Sequence, residues 1–190
     1  MDDFQIHAFA SRAAWREWLD EQHTVASGIW LKLAKAGSGI ESVSYEEVVE
    51  VALCYGWIDG QTNRVDDDYY LQRCTPRRAR SKWSKINRAK AEVLIANGMM
   101  QPGGLREVER AQADGRWEAA YDSPRSARVP RDLQDALDLS SRARELFATL
   151  DGRNRYAILH RIQDAKKPET RARRIERFVA MLAAGETLYP

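Results

Sequence analysis

The 190-residue chain is 44% apolar and holds six tryptophans, seven tyrosines and four phenylalanines, enough for one sizeable core and too much bulk for an intrinsically disordered chain. No apolar run approaches the roughly 20 residues that cross a bilayer, and the start Met1-Asp2-Asp3-Phe4 lacks the basic-then-apolar pattern of a secretion signal, so a cytoplasmic location without membrane insertion is expected. Net charge is only +2, but Arg73 to Lys90 holds eight basic residues and no acidic one, and Lys166 to Arg177 holds six against Glu169 and Glu176; +8 and +4 against a total of +2 leave −10 for the remainder.

Ser11 precedes a stripe of Ala14, Trp15, Trp18 and Leu19, which predicts a helix ending near His23. Gly28 opens a half-buried strand, Ile29 to Lys35, closed by Gly37 and Gly39. Ser44 and Glu47 have capping-box spacing just before Val48, Val49, Val51, Ala52 and Leu53, so a second, deeply buried helix starts there and stops at Gly56. Trp57 to Val65 and Tyr69 to Thr75, separated by Asp66-Asp67-Asp68, read as antiparallel strands that Pro76 ends. Ser84 caps a helix facing inward through Ile86, Ala89, Val93 and Leu94, and Pro102 starts another that runs to Gly115.

The fold class is therefore α+β, a small antiparallel sheet packed with helices in a core domain over residues 1–122. A parallel sheet is disfavoured, because the stretch from Trp57 to Thr75 has no room for a crossover helix. Residues 123–132 read as a connector, with two prolines and no apolar stripe. Residues 133–190 read as a helical portion packed on or beside the core, with breaks at Ser140-Ser141, Asp151-Gly152 and Lys167-Pro168.

Few chemistries survive inspection. Cys54 and Cys74 do not make a disulfide framework, and Cys54 suits burial in an apolar helix. With the cysteines and His7, His23 and His160 scattered, no metal site is expected, and no cofactor fingerprint exists in Gly37-Ser38-Gly39 or Gly103-Gly104. No serine sits in a nucleophile elbow, and His160 lies in an amphipathic helix where a structural histidine is the common case.

The site-like stretch is basic. Arg77, Arg78, Arg80, Lys82, Trp83, Ser84, Asn87 and Arg88 combine guanidinium forks, a hydroxyl and a predicted helix N-terminus, the setting in which phosphate and carboxylate bind. The same cations could instead staple the loop to Asp59 and to the Asp66–Asp68 turn, and both readings stand at this point. Asp59 and Asp68 are candidates for acid/base or loop-pairing roles. Trp83 could stack on a ligand ring, or pack against the helix that follows it.

The stretch also resembles a bacterial family, the YdeI or OmpD-associated, bacteriocin-protection proteins. The resemblance rests on Glu46-Glu47, Ala52 to Gly60, Thr75 to Arg78, Ser81 to Asn87, Gly98-Met99-Met100, Gly104, Asp114 to Trp117, Ala120-Tyr121, Ala165 to Arg171 and Arg174-Ile175, nearly the whole chain. Cys74 departs from the phenylalanine that relatives tend to carry before Thr-Pro, which implies a buried apolar position. The family name implies a part in envelope stress or in protection from antimicrobial peptides, and carries no catalytic residue or cofactor onto this chain.

The expected function is binding of a small anionic ligand on the basic loop and helix start, with whether a reaction follows left open. Nucleic acid is the alternative partner, because eight cations over 18 residues could neutralise several phosphates. A protein-interaction module without catalysis, its partner unknown, is the other alternative.

Overall fold

The computed structural model describes residues 4–190; Met1, Asp2 and Asp3, which enter the reading of the chain's start, lie outside them. The chain divides into two units, Met1–Trp83 with Asn87–Ala120, and Ser84–Ile86 with Tyr121–Pro190, and each has its own apolar core.

In the first unit, Ser11 caps α1 (Arg12–Gln22) by accepting from the Ala14 N–H. The predicted stripe faces inward: Trp15 and Leu19 are buried, and Trp18 packs against the core. Trp15 and Trp57 direct their indole N–H groups at the carbonyls of Val48 and His23, so these large rings enter the core without an orphaned donor. The full capping box forms at Ser44 and Glu47 and starts α2 (Tyr45–Cys54).

The sheet is mixed. β2 (Ile29–Ala34) pairs antiparallel with β4 (Tyr69–Pro76), and β4 pairs antiparallel with β3 (Trp57–Arg64). An additional two-residue strand, β1 (Ile6–His7), runs parallel to β2 and completes the order β1-β2-β4-β3. The helix α1 lies between β1 and β2 in the chain and supplies the crossover that parallel pairing needs. A two-residue strand shows no alternation, so nothing in its sequence marks it.

β3 and β4 slip register between Asp59 and Thr62, where β3 carries one residue more than its partner. Gln72 fills that bulge. It is buried, and its side-chain amide donates to the Gly60 and Arg73 carbonyls at 3.1 Å each, satisfying acceptors that the broken ladder would leave bare.

Three glycines bring α2, β3 and α4 (Pro102–Ala113) together. Gly56 ends α2 at φ +77°, a left-handed conformation that side chains disfavour. A Cβ on Gly104 would lie 2.3 Å from the Cys54 carbonyl oxygen, one on Gly103 would lie 2.8 Å from that of Tyr55, and one on Gly56 would lie 2.7 Å from that of Gly103. The Gln101 N–H donates to the Cys54 carbonyl at 3.0 Å, so the start of α4 satisfies an open acceptor at the end of α2. The remaining helix of this unit, α3 (Lys85–Ala96), buries Ala91 and Leu94, and its first two residues cluster with the second unit.

The second unit packs α5 (Arg131–Asp138), α6 (Ser141–Thr149), α7 (Gly152–Gln163) and α8 (Pro168–Ala183) around Leu133, Leu137, Phe147, Ile158, Ile162 and Phe178. Ser140 and Asp151 cap α6 and α7 with their side chains. Within residues 123–132, Ser123 and Ser126 close a turn on each other and Ala127 and Val129 pack against this core. No helix of the described residues is long and apolar enough to cross a membrane.

Gly104→Ala should be the most damaging single-methyl insertion in the first unit, since two backbone carbonyls of α2 occupy the space. A loss of about 3 kcal/mol is expected, at the upper end of overpacking costs; the urea midpoint measures it, and an unchanged midpoint would contradict the close approach.

Candidate functional site

The Gly56 turn also sets the start of the basic segment. Its carbonyl accepts from the Arg77 N–H at 2.9 Å, which fixes the chain as it leaves β4. The Arg77 guanidinium lies 3.7 Å from the centre of the Trp83 ring, and its Nη1 donates to the Lys82 carbonyl at 3.2 Å. Arg77 is only 6% exposed. A cation removed from water to this degree gains more from a ring face than one at the surface.

Behind this stack, Trp83 meets Trp117 edge-on at 4.9 Å. Arg116, also buried, donates from Nη1 to the Ser81 carbonyl at 2.7 Å and from Nε to Asp114. Arg78 and Ser81 close a turn, with the Arg78 N–H on the Ser81 hydroxyl and the Ser81 N–H on the Arg78 carbonyl, both 2.9 Å. The loop is thus held at both ends and from beneath. Arg78, Arg80 and Lys82 are exposed on it.

The other cations of the stretch have internal partners. Arg88 donates to the Trp117 carbonyl and lies 3.4 Å from Glu92 and 3.6 Å from Glu118. Lys90 reaches Glu46 and Glu50 on α2 at 2.7 and 3.0 Å. Asn87 is half-buried in α3. In the second unit, Ser84 bridges to Tyr121 and Lys85 pairs with Asp122 at 2.8 Å.

The two candidate carboxylates lie apart. Asp59 sits opposite Cys74 on the sheet and accepts the Tyr45 hydroxyl at 2.7 Å. Burial, followed by that hydrogen bond, pushes the Tyr45 hydroxyl well above the ordinary tyrosine range, so it remains a donor. Asp68 lies in the hairpin turn, where Asp66 caps the Asp68 and Tyr69 N–H groups and Arg64 pairs with Asp67. The extended β4 stands between Asp68 and Arg77, and nine residues at about 3.3 Å each separate them by about 30 Å. Asp68 therefore does not pair with the basic loop, because β4 extends rather than folding back.

Both cysteines are buried, and burial raises both thiols above their ordinary value, away from the thiolate that nucleophilic chemistry needs. That Arg116, 35 residues downstream of Ser81, and Trp117 hold the loop escapes sequence reasoning. Their only signal is the run Asp114-Gly115-Arg116-Trp117 itself.

In the second unit, Ala165 to Ile175 covers the turn after α7 and the first half of α8. Arg171 forks onto Asp132 through Nε and Nη2 at 2.6 and 2.8 Å and gives its Nη1 to the Ile162 carbonyl at 3.0 Å. Arg174 caps the Arg161 carbonyl. One cation thus ties the starts of α5 and α8 to the end of α7. The Arg171 hydrogen bond holds the Asp132 carboxyl below its ordinary range.

Residues 7–107, more than half of the chain, match the family profile described as Domain of unknown function (DUF8412). The chain belongs to that family. Residues 126–185 of this DUF8412 protein match the profile described as Bacteriocin-protection, YdeI or OmpD-Associated, the family that its sequence resembles. The quoted motifs from Glu46 to Asn87 and on to Gly104 fall within the DUF8412 match, and those from Ala165 to Ile175 within the other. No curated protein and no solved structure matches the DUF8412 chain.

Arg77→Lys should destabilise the protein nearly as much as Arg77→Ala, by about 2 kcal/mol, because a lysine keeps the charge but not the planar stack; thermal melting of the two variants checks it. Asp132 gives a pH test. Its pKa is depressed on folding, so its stabilisation is present above the unfolded value of about 3.9 and is lost as pH falls through the lower folded value. Asp132→Asn should therefore melt earlier than the parent by a constant interval above about pH 5, and the interval should close under acid.

Proposed function

We propose that this protein binds a small anionic ligand of phosphate size on the loop carrying Arg78, Arg80 and Lys82, and that it acts by binding rather than by catalysis. One observation carries the reading: Arg78 and Arg80 are exposed and have no carboxylate partner among the described residues, on a loop whose backbone is fixed by the Arg77–Trp83 stack, the Arg78–Ser81 turn and Arg116. Side chains on a fixed backbone lose less entropy on binding than those on a mobile one. The surroundings are rich in donors, with Trp83 Nε1 and Arg116 Nη2 buried and lacking an acceptor among the described residues.

The YdeI or OmpD-associated match at residues 126–185 supports a place in envelope or antimicrobial-peptide stress protection. Two buried, unlinked cysteines support a cytoplasmic location. Both belong to the proposal.

Titration of the full chain with inorganic phosphate and with single strands of increasing length, at roughly 50 and 200 mM salt, separates the partners. Phosphate should saturate one site, strand affinity should not grow with length, and the double variant Arg78→Ala/Arg80→Ala should weaken phosphate about tenfold or more. Length-dependent binding with a steep salt slope would make nucleic acid the partner and overturn the reading. So would phosphate affinity that the double variant leaves intact.

A further inference from the structure

A cleft runs along α7 in the second unit. The helix has two faces: Asn154, Ile158, Leu159 and Ile162 are buried, while Arg153, Tyr156, Ala157, His160, Arg161 and Asp164 recur at the three- and four-residue spacing of one opposite stripe. That stripe floors a cleft of about 560 Å³ walled by Pro124 and Tyr189. Among the ionisable groups of that stripe Arg153, His160 and Arg161 are basic, and Asp164, the residue that caps α7, is acidic.

The cleft wall is anchored from inside. Asn154, 6% exposed, accepts the Tyr189 N–H at 2.9 Å and donates to the Tyr189 carbonyl at 3.2 Å, and the Thr187 hydroxyl donates to the same carbonyl at 2.8 Å. The Tyr189 ring thereby carries the Arg153 guanidinium 4.0 Å from its centre, while the Arg161 guanidinium, 5.9 Å from the centre, meets the ring at its hydroxyl.

Those guanidinium groups retain most of their donors. Arg161 gives Nη1 to the Ala157 carbonyl and Nη2 to the Tyr189 hydroxyl at 3.3 Å, leaving three of its five N–H donors. Arg153 makes no hydrogen bond or ion pair with any described residue and is held by its ring contact alone. The ring contact orients the Arg153 fork and the two hydrogen bonds orient that of Arg161, and neither is an ion pair. Beside them, Tyr156 and His160 lie 5.6 Å apart at 49°, and the Tyr156 hydroxyl is tied back to the Asp122 carbonyl, so the aromatic surface is fixed.

We propose that this cleft binds a planar aromatic ring bearing a phosphate group, the phosphate held by Arg153 and Arg161 and the ring lying on Tyr156 and His160. A guanidinium fork matches phosphate oxygens two at a time, and a cleft of this volume admits a ring beside the anion. The hydrogen bond from Arg161 also lowers the Tyr189 hydroxyl below its ordinary range.

NMR titration of the full chain with phenyl phosphate, inorganic phosphate and phenol tests it. Phenyl phosphate should bind at least tenfold tighter than either fragment, with shifts confined to α7 and Tyr189. Arg153→Gln and Arg161→Gln should each weaken it about tenfold, Arg153→Lys should weaken it less, and the melting temperature of each variant should stay within a few degrees of the parent. Arg78→Ala/Arg80→Ala should leave this binding unchanged, which separates the cleft from the loop. Shifts centred on the loop, equal affinity for phenol and phenyl phosphate, or full affinity in the two Gln variants would overturn the proposal.

Discussion

The contact on which the first unit depends is that of three glycines, Gly56, Gly103 and Gly104, meeting backbone to backbone at the end of α2. Because no side chain stands between them, α4 approaches the last carbonyls of α2 closely enough for Gln101 to donate to Cys54. The left-handed Gly56 then turns the chain directly into β3, and its own carbonyl receives the Arg77 N–H. Helix end, strand start and loop root are thus positioned by one region in which a methyl group does not fit. The loop's rigidity is inherited from it.

From that root the basic segment sorts its charges by burial. Arg77 and Arg116 go inside, where a ring face, carbonyls and a carboxylate replace water. Lys90 and Arg88 lie across helix faces and pair with glutamates, contacts worth little individually because they are partly solvated. Arg78 and Arg80 stay outside. In the run of eight cations, Lys85, Arg88 and Lys90 therefore pair with carboxylates, Arg77 goes inside, and Arg78 and Arg80 are displayed.

The second unit uses arginine in the same two ways. Arg171 is a tie, its fork on Asp132 and its third nitrogen on a helix-terminal carbonyl, so that three helix ends share one side chain. Arg153 instead rests on the ring of a tyrosine and Arg161 donates to that tyrosine's hydroxyl, and both keep most of their donors. What separates the roles is the presence of a carboxylate within reach. Asp132 takes the Arg171 fork, whereas Arg153 and Arg161 form no ion pair among the described residues, the Asp164 carboxylate of their cleft lying 3.9 Å from Arg174.

Local signals in the sequence determined the helices and the hairpin. Ser11, the Ser44–Glu47 box, Pro102 and Asp151-Gly152 mark helix starts because a cap acts within four residues of its own position, and the Asp66–Asp68 turn marks the hairpin for the same reason. The density of cations between Arg73 and Lys90 was equally legible. Whether each cation pairs or projects was not, since it depends on residues as distant in sequence as Glu46, Trp117 and Asp122. Tertiary structure alone placed the two-residue β1, set Gln72 into the bulge, stacked Arg77 on Trp83 over Trp117, kept Asp68 a strand's length from the loop and clamped Tyr189 to Asn154. These are contacts between segments, and their free energy exists only when folding brings both sides together.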